Sequence, residues 1–164
     1  MKNTSNNAGA SLLKEVLCYT LGRLKLPGAL KFDVGLINPR KPSKAELTLL
    51  EGVLDCELRD CEAWTALVSR FNVFGTSHKR DVVLIREGAG FTAAQIVLHA
   101  DLAGEPISIV NVWTLRKIAR ESGYSEWSIS HNPELIPTDH VLDTVISTRL
   151  AGDRAGVLLP CEFR

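Results

Sequence analysis

The 164-residue sequence predicts an α+β protein, with a helical N-terminal half packed on a small, strongly bent antiparallel β-sheet or barrel. Three observations predict it. Apolar residues recur at three- and four-residue spacing as far as Phe71. After Gly75 the period shortens to two, in a succession of short β-rich runs. Those runs are divided by polar turns containing glycine, proline and asparagine, the pattern of small barrels. On this reading residues 1–74 form a helical region and residues 75–164 a β-rich, barrel-like domain, and the two can form one compact unit.

Leu13, Val16, Leu17, Thr20 and Leu24 share one face of a first helix, which Ser11 can cap and Pro27-Gly28 ends. A second helix opens at Ser43, with Glu46 three residues on, a spacing that lets each residue cap the other's backbone. Its apolar face is Leu47, Leu50, Val53 and Leu54. After Asp60, the residues Trp64, Leu67, Val68 and Phe71 stand at i, i+3, i+4 and i+7 and predict a third helix with Trp64 in the core. Both later helices end near glycine or asparagine.

Val82 to Ile85 is a β-rich run bounded by charges, and Gly88-Ala89-Gly90 reads as a loop between strands. From Ala94 to Leu102 the residues alternate. Ile96, Leu98, Ala100 and Leu102 face one way, and Gln95, Val97, His99 and Asp101 the other. Ala103-Gly104-Glu105-Pro106 is a turn, and Ile107 to Leu115 the return strand of a long hairpin. Glu121-Ser122-Gly123 is a loop, Glu126 to Ser130 a strand, and Pro137-Thr138-Asp139 a single helical turn. Val145 to Thr148 and Gly156 to Leu159 close the sheet around Ala151-Gly152-Asp153.

Nineteen basic and nineteen acidic side chains cancel, so global charge gives a polyanion binder no support. Locally the balance is uneven. Met1 to Pro42 carries seven basic and two acidic residues, and Ser43 to Arg70 three basic and six acidic. Two oppositely charged segments that attract each other explain this, as does a basic N-terminal patch for an anionic partner. No apolar run is long enough to span a membrane, and the polar start lacks a secretory core. A cytoplasmic location, or a nuclear one, is expected. Cys18, Cys56, Cys61 and Cys161 are expected as reduced, mostly buried thiols.

The chemistry-bearing groups form no familiar set. No cysteine is near a histidine in sequence, as a nucleophile pair would suggest. His131, Glu134, Asp139, His140 and Asp143 are the densest group of metal-ligand types, but their spacing fits no standard site, and turns and caps account for them. Gly88-Ala89-Gly90 lacks the lysine of a phosphate loop. Basic residues cluster at Ser77-His78-Lys79-Arg80 and at Arg116, Lys117 and Arg120. Trp127, after a loop, fits either core or contact surface. The candidate contact residues are Lys79, Arg80, His99, Trp113, Arg116, Lys117, Arg120 and Trp127, with no catalytic residue, metal or cofactor.

The order of features over residues 78–160 resembles a bromo-adjacent homology (BAH) domain. Asp81-Val82-Val83-Leu84-Ile85 is similar to the family's opening strand, and Ala93 to Val97 to the strand after it. Val110-Asn111-Val112-Trp113-Thr114-Leu115-Arg116 resembles its tryptophan-led strand end. Glu126 to His131, Glu134-Leu135-Ile136-Pro137 and His140 to Asp143 follow the later blocks. Thr114 and Leu115 stand where the family carries aromatics, so no complete methyl-lysine cage is expected from Trp113, Tyr124 and Trp127. The resemblance implies a protein-contact module, often attached to chromatin or DNA-handling machinery.

The sequence therefore points to a non-enzymatic adaptor or inhibitor that docks onto a protein or nucleoprotein complex. A bacterial or mobile-element blocker of a nucleic-acid-processing complex is one form it could take. A DNA- or RNA-associated module using the basic residues is the alternative. A metal-assisted hydrolase centred on His131 and His140 comes third.

Overall fold

Residues 34–58 and 63–164 are described by the computed structural model. They hold thirteen strands and one α-helix, so the predicted helical N-terminal half is overturned. Its first helix, over Leu13 to Leu24, lies outside the described residues, as do Cys18 and Cys61.

The helix marked by Ser43 is present. α1 (Lys44–Leu54) opens with the reciprocal cap between Ser43 and Glu46, and ends where Asp55 turns left-handed at φ 53°. Leu50 is its fully buried residue and packs on Leu98, Ala100, Ile107 and Ile109. Before it comes β1 (Gly35–Ile37).

The predicted third helix is instead two strands, β2 (Ala63–Ala66) and β3 (Val68–Arg70). Ala63, Thr65 and Ala66 are buried, whereas Trp64 is 41% exposed with the Lys41 ammonium 4.3 Å from its ring centroid. Helical spacing was coincidental here. Pairing Ala63–Ala66 with Leu102–His99 buries this segment against a strand that is distant in sequence, and such tertiary pairing overrides a local pattern.

The remaining strands are β4 (Thr76–His78), β5 (Val82–Glu87), β6 (Gly90–Leu102), β7 (Glu105–Val112), β8 (Thr114–Ala119), β9 (Tyr124–Ser128), β10 (Pro133–Pro137), β11 (Val141–Thr144), β12 (Ile146–Arg149) and β13 (Arg154–Leu158). They form three sheets. β3 lies between β1 and β4; a larger sheet runs β10-β7-β6-β5-β11, with β2 also on β6; the third runs β12-β13-β9-β8. Every pairing is antiparallel.

The predicted hairpin is β6 and β7. Its turn is only Ala103-Gly104, with φ 53° and 88°, and the Asp101 carboxylate accepts from the Gly104 N–H at 2.7 Å. Two positive φ values are what a tight, right-twisted hairpin requires. Ladder register shifts between Ile96 and Leu98, so Val97 is an extra residue. That bulge bends β6 and lets it serve separate cores. Ala94 and Ile96 join Phe71, Val83 and Val110, while Leu98 and Ala100 join the helix.

The run Val82 to Ile85 is buried throughout because both faces of β5 are covered. Val82 and Leu84 face Trp113 and, from the third sheet, Trp127 and Val157, and Val83 and Ile85 face the second core. The helical turn foreseen after Pro137 is a 3-10 turn at Thr138–His140. Cys56 and Cys161 are exposed, contrary to the burial expected of free thiols. Each lies beside a chain turn, in the segment after α1 or the last 3-10 turn, Cys161–Phe163, where no second layer covers it.

Candidate functional site

The return strand of the hairpin does not run on to Leu115. It stops at Val112, turns a corner at Trp113 and starts again in another sheet as β8. The Trp113 N–H donates to the Ala93 carbonyl at 2.8 Å, and its own carbonyl accepts from the Thr92 hydroxyl at 2.9 Å. Beyond this anchor, among the described residues, β8 pairs only with β9, and Gly90 to Thr92 of β6 pair only with β5. A cleft of about 640 Å³ opens between the two diverging strands, within the size range of ligand-binding pockets.

Its walls are apolar. Phe91, Trp113, Trp127 and Phe163 line it with Leu115 and Ile118, and the Phe91 and Phe163 rings meet edge to face at a centroid distance of 5.2 Å. In a regular strand Leu115 and Ile118 would point to opposite faces. Register slips at Arg116, so Leu115 lies opposite Trp127 and Ile118 opposite Ser125, both inward positions of β9. Leu115 is nonetheless 46% exposed at the lip.

The two tryptophans differ in how they are held. Trp127 donates its indole N–H to the Ser125 hydroxyl at 2.8 Å, which donates in turn to the Val157 carbonyl at 3.0 Å. Trp113 is only 4% exposed, yet its indole N–H has no partner among the described residues. Both are core residues that contribute a wall.

Charge gathers at the rim. Arg120 and Arg164 line the cleft together with Glu87, and Arg116 and Lys117 stand exposed on β8. None of these four cations joins an ion pair among the described residues. Arg164 is held by its Nε donating to the Leu159 carbonyl at 3.1 Å. Gly123, at φ +70°, allows this, since a Cβ there would overlap the arginine side chain.

Of the residues singled out from sequence, Trp113, Arg120 and Trp127 meet in the cleft, whereas Arg116 and Lys117 stand exposed on β8, Lys117 opposite the outward Glu126 of β9. Lys79 and Arg80 do not. They sit in the β4–β5 turn, where the Arg80 N–H donates to the Ile96 carbonyl. Glu87 marks the far end of β5, about 20 Å along the strand. The basic residues therefore fall into two groups.

His99 is not a contact residue, because its side chain is wholly buried. Its Nδ1 lies 2.9 Å from the Ser108 hydroxyl, which lies 3.0 Å from that of Thr138, and its Nε2 lies 3.4 Å from the Ser77 hydroxyl. All four residues have zero exposure. Burial lowers the His99 pKa to about 4, so the ring is neutral at physiological pH. A hydroxyl–imidazole string of this kind carries proton-transfer groups, but no substrate reaches it as it stands. Among the described residues, no three His, Cys, Asp or Glu side chains gather as a metal site.

Sequence reasoning missed Phe91, Leu115, Ile118, Phe163, Arg164 and Glu87. The one signal for Leu115 and Ile118 was their three-residue offset within a strand, which puts both on one face only around a bulge. No family model, curated protein or solved structure matches the chain.

Proposed function

We propose that this protein is a non-enzymatic docking module that receives a side chain of a protein partner in the cleft between β6 and β8. The single observation that supports it most is an aromatic-walled cleft whose two lining arginines, Arg120 and Arg164, join no ion pair among the described residues. Apolar pockets with a charged rim suit an anchor residue that is desolvated at the centre of an interface. The sealed state of the Ser77–His99–Ser108–Thr138 string favours a structural role for it over a catalytic one. The division of the basic residues favours a local acidic contact over a continuous track along nucleic acid.

The test is comparative capture from host extract, followed by reconstitution with the purified partner. Wild-type protein is expected to retain a stoichiometric protein that Leu115→Asp and Arg120→Glu both lose, each variant keeping its fold by circular dichroism. Equal capture by both variants would reject the cleft. Recovery of nucleic acid alone, released steeply by salt, would replace this reading with the nucleic-acid one.

A further inference from the structure

We infer that the partner presents an extended, acidic segment that adds as a strand to the open edge of β8 and seats one large apolar side chain in the cleft. The inference rests on the docking reading above and specifies the form of the occupant.

Backbone geometry is the first support. Among the described residues β8 is the edge of its sheet, and only β9 pairs with it. Among the same residues the facing flank of β6 has no strand on it at Gly90 to Thr92. Because the Ala93 carbonyl accepts from Trp113 on that side, alternation puts the N–H and C=O of Phe91 on the same side. Phe91 has β5 as its only ladder partner, opposite Arg86. The cleft is thus bounded by two stretches of backbone with hydrogen-bonding groups to spare, the arrangement that strand addition uses.

Charge is the second support, and it selects the occupant. β8 itself carries Arg116 and Lys117 and no acid, with Lys117 opposite Glu126 of β9, and the cleft is lined by Arg120 and Arg164 against Glu87. That local excess of cations stands out in a chain whose total charge is zero. Lysine, arginine and a bulge on an edge strand also discourage indiscriminate pairing. The same cations that repel a second basic edge attract an acidic one. The apolar cleft beneath the edge supplies what mere protection does not need, a socket for a side chain.

The probe is a synthetic nine-residue peptide alternating valine and glutamate around a central tryptophan, added to the full chain. Binding is followed by peptide fluorescence anisotropy and by amide hydrogen exchange. Expected is saturable binding that slows exchange at Phe91 and at those β8 amides that point away from β9. N-methylation of two alternate peptide amides is expected to weaken binding about five- to a hundredfold, the loss of two backbone hydrogen bonds. Replacing glutamate by lysine is expected to abolish it.

Binding without amide protection, or unaffected by N-methylation, overturns strand addition but leaves the docking module standing. Equal binding of the lysine peptide overturns the acidic occupant. If the extract experiment yields a cleft-dependent partner whose complex protects neither edge, the inference fails while the proposed function survives. If no cleft-dependent partner exists, both fail.

Discussion

Arg40 and Glu46 clasp each other through two parallel bonds: Nη1 donates to Oε2 at 2.8 Å, and Nη2 to Oε1 at 2.7 Å. The arginine comes from the basic N-terminal segment and the glutamate from the acidic one that follows it. The same carboxylate accepts from the Ser43 N–H at 2.9 Å and from the Thr65 hydroxyl at 3.3 Å. It therefore ties the helix start to β2. Glu46→Ala is expected to cost about 2 kcal/mol by removing the carboxylate half of the cap and leaving the buried Thr65 hydroxyl unpaired. Urea denaturation at pH 7 measures it, and a loss below about 0.5 kcal/mol would show that the clasp is only a surface pair.

The hydrogen bond from Arg40 does most to hold the Glu46 pKa down at about 2, against a usual value of 4.5. A depressed carboxylate stabilises the fold above its unfolded pKa and loses that contribution as pH falls through the folded one. The window is thus from roughly pH 4.5 down to 2. Arg40 is 46% exposed, so screening reduces the effect to about 1–2 kcal/mol. Glu46→Gln is expected to flatten the acid limb of the stability curve in that window.

His99 acts at higher pH. Its folded pKa of about 4 lies below the unfolded value of about 6.5, so between the two the unfolded chain holds more protons. Stability is full above about pH 6.5 and falls as pH drops towards 4. A His99→Gln variant, which cannot be charged, is expected to lose about 2 kcal/mol less than wild type between pH 7 and pH 4.5. Parallel slopes in the two proteins would mean that the ring is hydrated in solution.

Trp113 and Trp127 offer a contrast. Trp113→Phe deletes an unpartnered donor, whereas Trp127→Phe also strips a bond from Ser125. Leaving a buried polar group less satisfied costs about 1–3 kcal/mol. Trp127→Phe is therefore expected to be the more destabilising by about 1 kcal/mol or more in denaturant titrations. The reverse order would imply that the Trp113 N–H has a partner in solution.

Gly123→Ala forces a side chain into a left-handed turn and against Arg164. A loss of about 1–2 kcal/mol is expected, with faster proteolysis of the C-terminal 3-10 turn. An unchanged melting temperature would show that the arginine swings away freely.

Legibility followed the range of the forces. α1 was readable because Ser43 and Glu46 cap it locally, and the β6–β7 hairpin because its alternation and turn adjoin in sequence. The turn after Pro137 was readable for the same reason. Ala63 to Arg70 was not, because Ala63–Ala66 is made β by a ladder to Leu102–His99, over thirty residues away, and Val68–Arg70 by lying between β1 and β4. His99 was placed on a polar face, yet Ser77 and Thr138 cover it from elements far along the chain. The cleft was half legible. Trp113, Arg120 and Trp127 stood out by residue type, whereas Phe91 and Phe163 meet only when the two ends of the β-rich half come together.

The sharing of β6 among β2, β5 and β7 also governs how quickly this chain can mature. During synthesis β2 can bridge to Arg40 through Thr65, but its ladder waits until residues 99–102 leave the ribosome, and the floor beneath α1 is incomplete until Ile109 follows. Contacts that span so much chain place folding in the millisecond-to-second range of β topologies. Throughout that interval the nascent protein exposes unpaired strands, and a chaperone has a defined stretch, residues 63–102, to shield.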